Sequence, residues 1–273
     1  ASNNTAVGFD SLCANTTGAN NTAIGKSALL NNTTGSCNMA FGGAALLNNT
    51  EGLDNIAMGL VSLCCNTTGD NNVALGSCAL RANTTADNNT AVGHLALTCN
   101  TTGDTNIAIG YAPLYTNTTG TANVAVGSLA LCANTTAANN VAVGNCSLKK
   151  NTTGAQNTAM GGKTLMCNTE GNNNSTVGYG SLLYNTTGDN NVAMGRDALL
   201  CNTTADNNTA VGYFALKVNT TGADNTAVGL CSLATNTTGR FNQAVGSFAL
   251  NGNTEGCQNV AMGMSALCAN TTG

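Results

Sequence analysis

Apolar and polar residues return along this chain at fixed phases of a 17-residue period. With positions numbered so that Gly8 stands at position 8, glycine recurs at Gly25, Gly42, Gly59 and onward to Gly263. Leucine holds position 12 throughout, from Leu12 and Leu29 to Leu267. Position 6 is alanine except at Thr176, position 7 is apolar but variable in size (Val7, Ile24, Phe41, Met58, Leu75), and position 11 is small apart from Pro113. The polar phases are equally regular, with Asn at position 4 (Asn4, Asn21, Asn38) and Asn-Thr at positions 15 and 16 (Asn15-Thr16, Asn32-Thr33, Asn49-Thr50). Sixteen repeats account for 272 of the 273 residues. The pattern therefore predicts a one-dimensional stack, a single repeat domain over 1–273 with no separate capping domain.

Each repeat has two Asn-rich breaks and one or two glycines, which leaves no uninterrupted segment of the ~10 residues that helices need. Two short extended pieces fit better, around positions 5 to 8 and 10 to 13. Position 5 is mainly Thr, Val or Ile, residues that suit strands. The predicted fold class is all-β: a parallel β-solenoid (β-roll or β-helix) of sixteen 17-residue coils, with neighbours paired at ~4.8 Å.

Strand alternation puts positions 5 and 7 on one face and positions 6 and 8 on the other. Size favours position 7, position 12 and part of position 5 as the interior. The small Ala6 and Gly8 columns would then face a closely approaching neighbour. The reverse assignment stays open.

In a stack, an Asn at a fixed turn lies above the Asn of the previous coil, so its amide can donate to one neighbour and accept from the other. Two structural ladders are expected on this ground, through Asn4, Asn21 and Asn38 and through Asn15, Asn32 and Asn49. Thr16 and Thr33 begin a further column. Gly18 and its equivalents are expected to supply a position of relaxed φ.

Composition narrows the function classes. Charged residues are 7% and aromatics 4% of the chain. In an irregular sequence such polarity would mean disorder, but the fixed apolar phases argue for order. The net charge is −4, and eight Lys and Arg spread over sixteen repeats make no basic stripe, so no nucleic-acid partner is expected. No apolar run is long enough for a membrane span, and no signal-peptide pattern occurs. His94 is the only histidine, no CxxC pair occurs, and no glycine-rich loop carries a phosphate-binding lysine. The expectation is a non-enzyme with no cofactor and no metal. Asp70, Asp87 and Asp104 share one column, as do Asp189 and Asp206, and read as solvated carboxylates in preference to a cation site.

The runs Asn4-Thr5-Ala6-Val7-Gly8 and Asn106-Ile107-Ala108-Ile109-Gly110 resemble the head repeats of trimeric autotransporter adhesins. Similar repeats occur in bacteriophage tail fibres. The resemblance extends over all sixteen repeats and implies a parallel β-roll, trimeric assembly and a surface fibre that presents binding tips. It also implies an extracellular location, or one at a cell or virion surface. The chain departs from that family in its longer period, in its many cysteines, and in showing no coiled-coil stalk, membrane anchor or terminal chaperone domain.

The thirteen cysteines fall in variable columns, chiefly 10, 13 and 14. Same-column pairs such as Cys65 and Cys99 lie two coils apart, ~9.6 Å, beyond the ~7 Å limit for a disulfide. The alternatives are free thiols or links between chains. End-to-end stacking would bring Cys268 of one copy into the column of Cys13 of the next. Asn15, Asn66, Asn100 and Asn117 begin Asn-Thr-Thr sequons and are candidate glycosylation sites. Glu51, Glu170 and Glu255 interrupt that column.

The sequence thus predicts a structural building block of an extracellular or surface fibre or filament that self-associates through its solenoid. The partners are other copies of the chain, as a homo-oligomer or an end-to-end filament. The alternative is an adhesin with a cell-surface or glycan ligand. Regular Thr columns raise ice binding as a third reading.

Overall fold

The computed structural model describes residues 1–273 and contains sixteen three-residue strands and no helix. The chain forms two compact units, Ala1–Ala138 and Asn139–Gly273. In the first, strands β1 (Thr5–Val7) to β8 (Val124–Val126) pair in sequence order, all parallel. In the second, β9 (Val141–Val143) to β16 (Val260–Met262) do the same. The register advances by one period per coil, as in Thr22↔Met39, Ala23↔Ala40 and Ile24↔Phe41. The predicted parallel β-solenoid is the fold.

Position 12 lies inside as expected, but at the strand the interior is the reverse of the one that side-chain size favours. Ala23, Ala40, Ala57 and their equivalents at position 6 are fully buried, with Leu29, Leu46 and Leu63 at position 12 and small residues such as Ala28 and Ala45 at position 11. The position-5 and position-7 side chains point outward, and Met39, Met58, Ile107, Ile109 and Met160 are among the exposed large hydrophobics. The reason is width. One leucine, the small residue at position 11 and two asparagines fill most of the space enclosed by a coil, so the strand can turn only a methyl inward. The one larger residue in the alanine column, Thr176, stays buried by donating its hydroxyl to the Thr158 carbonyl at 3.0 Å.

Tight winding needs left-handed backbone at four positions of the coil. Leucine at position 12 has φ between 47° and 55° in every repeat, and non-glycine residues at positions 3 and 10 are also left-handed, including Val61 at 48°. A left-handed residue costs roughly 1–2 kcal/mol unless it is glycine, so the stack holds these conformations by burial and pairing. Position 8 is different, because there the side chain itself is excluded. Gly25 has φ +134°, and a Cβ on it would lie 2.5 Å from the Gly42 carbonyl oxygen of the next coil. The expected relaxed φ at Gly18 is not present. Its backbone is not left-handed, and what demands a small residue is the next coil together with the ladder, since a Cβ would run into the Gly35 carbonyl oxygen and lie 2.6 Å from Asn15 Oδ1.

Pro113 sits where the backbone loses least. At position 11 the N–H makes only a long bond to the position-8 carbonyl, 3.5 Å for Ser11 and 3.3 Å for Ala28. A proline there forfeits little, and its carbonyl still accepts from Leu97 N at 3.0 Å.

Candidate interaction surface

The two asparagine columns fix which residues face outward. In the position-15 column each Nδ2 donates to the Oδ1 of the preceding coil: Asn32 to Asn15 at 2.8 Å, Asn49 to Asn32 at 2.9 Å and Asn66 to Asn49 at 2.8 Å. The second hydrogen goes to a carbonyl three residues on, as from Asn32 to Gly35 at 2.9 Å. The position-4 column works differently. Asn4 Oδ1 accepts the backbone N–H of Asn21 at 2.8 Å, and Asn21 Oδ1 accepts that of Asn38 at 2.9 Å. Asn21 Nδ2 donates to the same Gly35 carbonyl that Asn32 uses, at 2.8 Å. Two amides thus converge on one carbonyl and tie the ends of the coil together, a pattern from which Asn89 departs by donating to the Asp87 carbonyl at 3.2 Å. No buried side-chain nitrogen or oxygen lacks a partner.

Thr16 and Thr33 form a column that is bonded through the backbone. Thr16 Oγ1 donates to the Thr33 carbonyl at 2.9 Å, and Thr33 Oγ1 to the Thr50 carbonyl at 2.9 Å. The hydroxyl hydrogens are therefore committed to the stack and do not form an outward array. The aspartates of position 2 are staples of the same kind. Asp70 N donates to Asp87 Oδ1 at 2.7 Å and Asp87 N to Asp104 Oδ1 at 2.8 Å. Charge repulsion within the column is offset by these charge-assisted bonds.

All thirteen cysteines are free thiols, with Cys13 and Cys268 exposed. Cys64 and Cys65 bring their Sγ atoms within 3.6 Å. Burial, and then the neighbouring Cys65, push the Cys64 thiol up to about 12, so it stays protonated at neutral pH. Burial also raises Cys201. Among the candidate sequons, Asn66, Asn100 and Asn117 are fully buried, and each spends both amide hydrogens in the ladder. A glycan on those nitrogens is incompatible with the folded coil. Asn15 is half-buried and donates one hydrogen to the Gly18 carbonyl at 3.0 Å.

With the asparagine, position-16 threonine and position-2 aspartate columns absorbed by the stack, two outward faces remain beside the exposed threonine column of Thr17 and Thr34. The sheet face carries positions 5 and 7. Over all sixteen repeats neither column contains a charged residue, and the position-7 column is apolar throughout. The turn face carries positions 9, 10 and 13, where most aromatic residues gather. In the first unit a cavity of about 300 Å³ is lined by Leu95, Tyr111, Ala112, Tyr115, Leu129 and Cys132, and His94 lies beside Tyr111 with ring centroids 6.0 Å apart. In the second unit a cavity of about 300 Å³ is lined by Tyr179 and Arg196. Composition hides this grouping, because aromatics are rare overall. Column alignment would have revealed it, since Tyr179, Arg196 and Tyr213 occupy position 9 of three successive repeats. The chain matches no protein-family model, and no curated protein matches it.

Proposed function

We propose that this protein is a structural building block of a fibre or filament and self-associates by laying the sheet face of one copy on that of another. The observation that carries the reading is the uncharged outward ribbon of positions 5 and 7. Solvent-exposed strands ordinarily alternate apolar-in with polar-out, whereas here position 7 is apolar in every coil while facing out. Eight coils at ~4.8 Å, two side chains or ~10 Å wide, present roughly 400 Å² per unit. The position-7 column is continuously apolar, as patches that mark interaction surfaces are, and branched residues such as Val124 and Val126 suit face-to-face sheet packing at ~10 Å. The resemblance to surface-fibre repeats agrees with the reading and suggests an outer-surface location.

Sedimentation velocity over a concentration series, with negative-stain electron microscopy of the same samples, tests it. The wild type is expected to form oligomers or filaments, and the variant Val73→Lys/Leu75→Lys/Val141→Lys/Val143→Lys is expected to stay monomeric. A milder set with Thr at the same four positions (Val73→Thr, Leu75→Thr, Val141→Thr and Val143→Thr) preserves strand propensity and controls for misfolding. A wild type that stays monomeric at every concentration would sink the proposal. So would a folded lysine variant that assembles as well as the wild type.

A further inference from the structure

The turn face of the second unit carries an arrangement that the stack does not need. Tyr179, Arg196 and Tyr213 follow one another in the position-9 column, on three successive coils. Tyr179 and Tyr213 are 51% and 43% exposed. The Arg196 guanidinium lies 6.0 Å from the centroid of the Tyr179 ring, and Lys163 Nζ lies 5.9 Å from the same ring. Two coils further on, Tyr213 stacks on Phe214 with centroids 3.9 Å apart, and Lys217 Nζ sits 4.0 Å from the Phe214 ring. Three of the chain's eight basic residues thus meet three of its ten Phe and Tyr within four coils.

The details show a built site. Asp197, largely covered, takes Arg196 Nε at 3.3 Å and thereby orients a guanidinium that is itself 63% exposed. With Nε held, the Nη edge of the fork is free to take a carboxylate side-on, the geometry in which arginine binds that group best. Room for Asp197 comes from Gly180, the only glycine in the position-10 column, because a Cβ on Gly180 would strike Asp197 Oδ1. Gly180 is thus a departure from the repeat that clears space for one member of the cluster.

We infer that Tyr179, Arg196, Tyr213, Phe214 and Lys217 form a binding site for an acidic polysaccharide, a chain of uronate sugars. The exposed tyrosine rings offer flat apolar platforms with a polar edge, which suits the C–H face of a pyranose. The Arg196 fork supplies the partner for a carboxylate on a sugar seated at Tyr179, and Lys217 supplies the second charge. The two aromatic stations are two coils apart, ~9.6 Å, the scale of a disaccharide in an extended chain. A nucleic-acid strand fits less well. Phosphate tracking draws on many cations, and here three cations, one of them tied to Asp197, sit on a chain of net charge −4. The site goes beyond lateral assembly and does not depend on it, since it lies on the turn face and not on the sheet face.

Isothermal titration of the full chain with an oligogalacturonate, beside the fully methyl-esterified oligomer and an oligothymidylate of equal charge, tests the assignment. The acidic oligosaccharide is expected to bind in a salt-sensitive way, the esterified one at least tenfold more weakly, and the oligothymidylate more weakly than the acid. Arg196→Ala and Tyr179→Ala are each expected to reduce affinity roughly tenfold. Gly180→Ala is a second probe of the same geometry. Ala44 and Ala112 already occupy that left-handed position in other coils, so the backbone tolerates the change while Asp197 is displaced, and binding is expected to weaken several-fold. Absence of binding to the acid, equal binding of the esterified oligomer, or preference for the oligothymidylate would overturn the inference. So would wild-type affinity in Arg196→Ala. Sedimentation of the same variants should match the wild type, so failure here is distinguishable from failure of the assembly proposal.

Discussion

A single asparagine amide in this fold serves three neighbours at once. Asn100 Nδ2 donates to Asn83 Oδ1 at 3.0 Å and to the Gly103 carbonyl at 2.9 Å, while its Oδ1 accepts from Asn117 Nδ2 at 2.8 Å. Asn100→Ala therefore strands one buried acceptor, Asn83 Oδ1, and one buried donor hydrogen of Asn117, while the Gly103 carbonyl keeps Asn106 Nδ2 at 3.2 Å. At ~1–3 kcal/mol for each unsatisfied group, the expected loss is about 3–5 kcal/mol after partial relaxation. Urea unfolding followed by circular dichroism measures it, and a loss under ~1 kcal/mol would mean that the ladder contributes geometry but little stability. These columns were legible in the sequence because an invariant, repeated amide has few uses other than bonding to its own copy. The left-handed residues were not. Leucine at position 12 advertises burial, and nothing in its chemistry favours φ near 50°. The one available signal lay at position 3, where Asn3, Asn20, Asp54 and Asn71 are residues that tolerate such backbone.

At the scale of the strand, side-chain size misled because the enclosed space was unknown. In a wide sandwich the larger apolar column belongs inside. In a coil closed by two asparagine columns the distance from strand to leucine accommodates only a methyl group, so uniform smallness at position 6 was the true mark of the interior. Adjacent residues of one strand should accordingly respond in opposite ways to the same enlargement. Ala91 is fully buried and Val92 is half-buried on the outer face. Ala91→Leu overpacks a site with no slack and is expected to cost at least ~3 kcal/mol, the upper part of the usual range for such insertions. Val92→Leu adds a methylene toward solvent and should change stability by less than ~0.5 kcal/mol. Thermal melts of the two variants decide it, and equal losses would return the outer face to the interior. The period, the strand positions and the parallel class followed directly from the repeat. The inside-out assignment needed the three-dimensional width of the coil.

For the molecule as a whole, self-association through the outward ribbon would make stability a property of concentration. Sixteen thin coils bury mostly alanine, leucine and asparagine, while the variable apolar residues Met58, Ile109, Met160, Val177 and Met194 stay at the surface. If a second copy covers them, association stabilises the folded chain by mass action, and the melting temperature must rise with protein concentration. A monomer has no such dependence. Each tenfold increase in concentration adds up to ~1.4 kcal/mol per mole of interface when the unfolded chain does not associate. For a chain of this length that is a shift of a few degrees. The lysine variant at Val73, Leu75, Val141 and Val143 should melt at a temperature independent of concentration, close to that of the most dilute wild type. Differential scanning calorimetry on both proteins over two decades of concentration makes the comparison. A flat wild-type curve would leave the apolar face uncovered in solution. A rising curve in both proteins would place the contact between copies on another surface, with the turn face around Tyr179 the next to be substituted.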